Sequence, residues 1–147
     1  MILFDTSVLS RVFRRKHPGA EERRLRVVFE ELMATDVPLG LPGIVLQEVL
    51  SGVRSHQQCS DLSAKLPTAF AVLPEGVVEH VEAARVKHVC LGKGLNVSGV
   101  DCLIAACAIT GDHELFAVDG DFEAIAKHAP LKLYGGHSRP RAEAGTP

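Results

Sequence analysis

The sequence predicts an α/β domain built on a mostly parallel central sheet, with helices on both of its faces. Two observations carry that prediction. Short apolar runs that suit strands alternate with longer segments of helical period along the chain, and such alternation buries a parallel sheet between layers of helices. The chain also has the length and apolar content, 147 residues and 46% hydrophobic, that a single domain uses to bury a substantial core. Two domains are not expected.

The first strand is Ile2 to Phe4, ended by Asp5-Thr6-Ser7, which leads directly into a helix reaching about Arg15. His17-Pro18-Gly19 breaks it. The stretch "EERRLRVVFEELMA" forms a second helix: its acidic start suits the positive end of the helix dipole, and Leu25, Val28, Phe29 and Leu32 make one apolar stripe. Val37 to Leu41 is the second strand. Pro42 suits the first turn of the next helix, where Leu46, Val49, Leu50 and Val53 repeat at helical spacing and Glu48 rides along. A polar helical stretch from about Gln57 to Lys65 runs up to Pro67, and "AFAVL" supplies the third strand. Glu75 to Leu91 is a long helix closed by "GKG", and Ser98 to Ile109 is the next. Leu115 to Val118 is a strand, Asp121 to His128 a helix and Leu131 to Tyr134 the last strand. The domain is expected to occupy residues 1–134. Residues 135–147, rich in Gly, Pro, Arg and Ala without periodicity, are expected to form a flexible tail.

Composition excludes several chemistries. Cys59, Cys90, Cys102 and Cys107 have no C-x-x-C spacing, and two of them fall in one apolar helix, so buried free thiols are expected. The histidines are scattered singly, without the spacing of a zinc site. No glycine-rich phosphate loop occurs. With neither a leader-like start nor an apolar run of membrane-spanning length, a soluble, cytoplasmic protein is expected. A formal charge of −2 gives no global attraction for nucleic acid, which would have to rest on local patches such as Arg11, Arg14, Arg15 and Lys16.

The acids carry the functional signal. Taken singly, each has a structural explanation: Asp5 can cap the first helix, Ser98-Gly99-Val100-Asp101 fits a capping box, Asp119 precedes a glycine in a turn, and Asp121 can cap the helix behind it. Glu48 fits such an explanation less well, because its helix is apolar at many of its other positions. Together, Asp5, Asp101, Asp119 and Asp121 all fall where a strand ends or a helix starts. In a parallel sheet those points share one edge, the edge at which such folds place ligands. Carboxylates gathered there repel one another unless a cation neutralises them, and oxygen-only donors suit a hard divalent ion such as Mg²⁺ or Mn²⁺. A site of that kind activates water against a phosphodiester without a Ser, Cys or His nucleophile.

Four segments in order, "MILFDTSVLSRVFR", "PGIVLQEVLSGV", "VSGVDCLIAACAI" and "LFAVDGDFEAIA", resemble the PIN-domain family, specifically the VapC-like toxin ribonucleases, over residues 1 to about 134. The resemblance implies a PIN-like fold and a Mg²⁺- or Mn²⁺-dependent endoribonuclease that cleaves RNA. It also implies inhibition by a VapB-like antitoxin protein and a homodimer. By motif, the metal-binding and catalytic acids are Asp5, Glu48, Asp101 and Asp119, with Asp121 binding through water or capping the helix. Thr6 or Ser7 supplies a hydroxyl that orients Asp5. The alternative from another class is a catalytically inactive PIN-like module that binds RNA or protein.

Overall fold

The structure is a computed structural model, and it describes residues 1–13 and 17–135. Among these residues five strands form one sheet: β1 (Ile2–Phe4), β2 (Leu39–Pro42), β3 (Ala71–Leu73), β4 (Glu114–Phe116) and β5 (Lys132–Leu133). The order across the sheet is β3-β2-β1-β4-β5, and every pairing is parallel. Among the described residues seven helices connect the strands: α1 (Thr6–Val12), α2 (Ala20–Met33), α3 (Gly43–Gly52), α4 (His56–Ala69), α5 (Val77–Gly92), α6 (Gly99–Thr110) and α7 (Gly120–Ala126). The expected α/β class with a parallel sheet is borne out. The chain moves from β1 to β2 to β3 in one direction and returns past β1 to reach β4 and β5. With the right-handed crossovers that parallel strands adopt, this order calls for α1 to α4 on one face and α5 to α7 on the other.

Period-two alternation sends Ile2 and Phe4 to one face of the sheet and Leu3 to the other, and all three are buried. Phe4 anchors an aromatic cluster, with edge-on contacts to Phe29 of α2 (5.9 Å), Phe70 at the end of α4 (5.1 Å) and Phe116 of β4 (5.3 Å). α6 is buried nearly all round, at Cys102, Ile104, Ala105, Ala106, Cys107 and Ala108, because its small side chains let α5 pack closely against it. All four cysteines are free, with Cys90, Cys102 and Cys107 buried and Cys59 partly so. Among the described residues no helix is long and apolar enough to cross a membrane.

Several boundaries differ from the sequence expectation. Pro42 does not sit inside the third helix: it ends β2 and occupies the N-cap of α3 with extended backbone (ψ 142°). Pro67 does not terminate α4 but lies within it. It removes one donor, yet the last turn persists because Leu66 and Phe70 are held in the core and the Phe70 N–H reaches the Leu66 carbonyl at 2.9 Å. Asp119, not Asp121, caps α7. The expected end of the first helix near Arg15 and nearly all of the expected tail lie outside the described residues, as do Arg14, Arg15 and Lys16.

Candidate metal centre

β1 and β4 are neighbours at the point where the strand order reverses, so the loops leaving their carboxyl ends open onto one crevice. Asp5 leaves β1 and is tied to β4 at once, its N–H donating to the Phe116 carbonyl at 2.9 Å. As N-cap of α1 it accepts through Oδ2 from the Ser7 N–H (3.1 Å) and the Ser7 hydroxyl (2.5 Å). Asp5 is only 4% exposed, the one buried charged side chain among the described residues. Burial pushes its pKa up. The Ser7 bonds and the Thr6 backbone oppose that shift, and the charge of Glu48 adds to it.

The hydroxyls beside Asp5 divide their work. Ser7 Oγ donates to Asp5 and accepts from the Val118 N–H at 3.2 Å, which joins the first acid to the loop before Asp119. Thr6 Oγ1 instead donates to Glu48 Oε1 at 2.8 Å, across the gap between α1 and α3. The sequence alone left either hydroxyl as the partner of Asp5. The link to Val118 was not legible, because its acceptor and donor are 111 positions apart.

Asp101 is the third residue of α6. The Ser98 hydroxyl caps that helix by accepting the Asp101 N–H at 3.0 Å, so the capping chemistry read from the sequence is present in the backbone. The carboxylate has a different environment. Burial, followed by the charges of Asp5, Asp119 and Asp121, pushes its pKa up to about 6, and a hydrogen bond with Ser98 only partly opposes this. Asp119 caps α7, its Oδ1 accepting the Asp121 N–H at 3.0 Å.

Oxygens of Asp101, Asp119 and Asp121 all lie within 4.8 Å of one another, with Asp101 half-buried and the other two exposed. Two oxygens bound to one hard divalent ion at about 2.0–2.6 Å are separated by at most roughly 4–5 Å, so the three carboxylates can share a cation with little adjustment. All of the donors are oxygen, which matches Mg²⁺ or Mn²⁺ rather than a soft metal. Asp5 and Glu48 are not part of this three-carboxylate group. Asp5 joins it electrostatically, through its effect on Asp101, and Glu48 acts in turn on Asp5. Both late aspartates, Asp119 and Asp121, belong to the group. Of the basic stretch, Arg11 faces Glu21 at 3.6 Å.

The chain resembles solved structures over nearly its whole length. It superposes on FitAcB from Neisseria gonorrhoeae with a TM-score of 0.74 and 19% identity, covering 95% of this chain and 100% of that one. A toxin-antitoxin complex from Klebsiella pneumoniae gives 0.68 at 19% identity, covering 90% and 100%. VapC20 of Mycobacterium tuberculosis, a toxin that cleaves the sarcin-ricin loop, gives 0.69 at 18% identity, covering 90% and 99%. No curated protein sequence matches this chain significantly. At such identities the solved structures establish the fold alone, but the sequence itself matches the PIN domain model over residues 2–128. With that match, and the ordered acids at the switch point of its sheet, the chain belongs to the PIN domain family.

Proposed function

We propose that this protein is a Mg²⁺- or Mn²⁺-dependent endoribonuclease, the toxin of a VapBC-like toxin-antitoxin pair. The observation that carries the proposal is the meeting of Asp101, Asp119 and Asp121 within 4.8 Å, under the electrostatic influence of Asp5. Asp101, Asp119 and Asp121 would hold the ion, with Asp5 and Glu48 completing the acidic wall of the crevice. When bound, the ion supplies an activated water and neutralises charge developing on the phosphodiester. Ser7 fixes the Asp5 carboxylate in one orientation, and Thr6 does the same for Glu48. The dipole of α6 favours ionised Asp101 at its first turn, countering part of the repulsion from its neighbours.

Family membership and the toxin and toxin-antitoxin relatives support the biological setting: a cytoplasmic homodimer of the 1–134 domain, silenced by a VapB-like antitoxin. An antitoxin segment offering Arg or Lys to these carboxylates would compete with the metal for them. The test is cleavage of an RNA substrate by purified protein. Cleavage is expected with Mn²⁺, none with EDTA, and a loss of several orders of magnitude in Asp101→Asn. Metal-independent cleavage, or full activity in Asp101→Asn, would overturn the proposal.

A further inference from the structure

The start of α3 lacks a cap of its own. A helix leaves its first N–H groups without internal partners, and Pro42, at the N-cap, has no side chain that can accept from them. The partner arrives from another part of the chain. β2 and β3 pair with Pro42 opposite Leu73, so the segment leaving β3 passes beside the first turn of α3. Two residues after Leu73, Glu75 Oε1 accepts the Ile44 N–H at 2.8 Å. Its other oxygen lies against Gly43, where a Cβ would stand 3.0 Å from Glu75 Oε2 and 3.5 Å from the Leu73 carbonyl. The glycine of the "PGI" motif thus leaves room for the carboxylate.

One helical turn beyond Ile44 is Glu48, whose Oε1 is held by the Thr6 hydroxyl at 2.8 Å. We propose that Glu75 is a positioning residue: by capping α3 from the β3–α5 connection, it sets the helix so that Glu48 meets Thr6 beside Asp5. A negative charge at the helix N-terminus is favoured by the dipole as well as by the hydrogen bond. Glu75 itself belongs neither to the three-carboxylate group nor to the acids assigned by motif. The consequence for catalysis rests on the ribonuclease function proposed above, whereas the positioning of Glu48 does not.

The experiment therefore has one readout that needs neither metal nor turnover. In the full-length, metal-free protein, the side-chain carboxyl ¹³C resonance of Glu48 is assigned by its disappearance in Glu48→Gln. Glu75→Ala, and Glu75→Asp, which keeps the charge but shortens the reach, are expected to move that resonance. Glu75→Gln, whose amide oxygen can still accept the Ile44 N–H, is expected to leave it near its wild-type position. In RNA cleavage with Mn²⁺, Glu75→Ala and Glu75→Asp are expected to lose about 10- to 100-fold. In a Glu48→Gln background, Glu75→Ala is expected to cost nothing further, because the residue it positions is already gone. An unmoved Glu48 resonance in folded Glu75→Asp overturns the proposal. A moved resonance in a protein whose wild type does not cleave RNA upholds the positioning and overturns the ribonuclease function.

Discussion

At Asp101 the backbone and the carboxylate answer to different neighbours. The N–H is satisfied by Ser98, and the side chain faces three other aspartates. Capping and clustering were competing explanations in the sequence, but they use different atoms of the residue and both hold. The clustering has a pH signature. The folded pKa of about 6 lies above the ordinary 3.8 of an aspartate, so between those values the folded protein binds a proton that the unfolded chain has released. Stability of the metal-free protein should therefore fall as pH rises from about 4 to 6 and level off above. Asp5, also shifted upward by burial, contributes with the same sign. Urea denaturation in EDTA across that range checks the sign, and the curve for Asp101→Asn should be flatter than wild type. Cation binding has the opposite dependence, because the ion displaces the proton. Mn²⁺ titrated calorimetrically should bind more weakly at pH 5 than at pH 7.5, and equal affinities would contradict the assignment.

Ser7 offers a second test at this scale. Its hydroxyl serves Asp5 and the Val118 N–H together, so Ser7→Ala strips a buried carboxylate of its shortest hydrogen bond and leaves a half-buried amide without that acceptor. A loss of about 1–3 kcal/mol in urea denaturation is expected. The role was half legible: the D-T-S triplet announced a cap, but only the fold could bring Val118 to it.

Among the elements, the type of each was legible, because strand and helix periods leave different marks on the sequence. Boundaries were less so. α4 runs through Pro67 because buried Leu66 and Phe70 outweigh one lost backbone bond, a tertiary effect with no local signature. The cap of α7 moved from Asp121 to Asp119, since either aspartate can start a helix and the choice depends on how β4 delivers the chain. β2 illustrates what packing adds to pattern. Gly40 is buried between β1 and β3, and a Cβ there would meet Met1 Sδ at 2.6 Å, Leu3 Cδ2 at 2.8 Å and the Ala71 carbonyl at 3.2 Å. Gly40→Ala should therefore destabilise the protein by about 1–3 kcal/mol despite the better strand-forming residue, as measured by chemical denaturation. A neutral or stabilised variant would mean that the sheet is looser there than its spacing indicates.

For the whole molecule, the order β3-β2-β1-β4-β5 could not be computed from local pattern, because it is set by pairings such as Ile2 with Glu114, far apart in the chain. The resemblance of four short motifs to one family stood in for that information. What the order adds is the reason the acids meet: β1 and β4 flank the reversal point, and their outgoing loops deliver Asp5 and Asp119 to the turn where α6 presents Asp101. The same convergence leaves like charges facing one another when no cation is present, which costs the metal-free fold some stability. The most direct test is a set of thermal melts of wild type and Asp101→Asn, each in EDTA and in excess Mn²⁺. Metal-free Asp101→Asn should melt above metal-free wild type, because one repelling charge has been removed. Mn²⁺ should raise the wild type by more than the variant, because a ligand that binds only the folded state stabilises it more the more tightly it binds. Equal metal-induced shifts in the two proteins would contradict a cation site at Asp101.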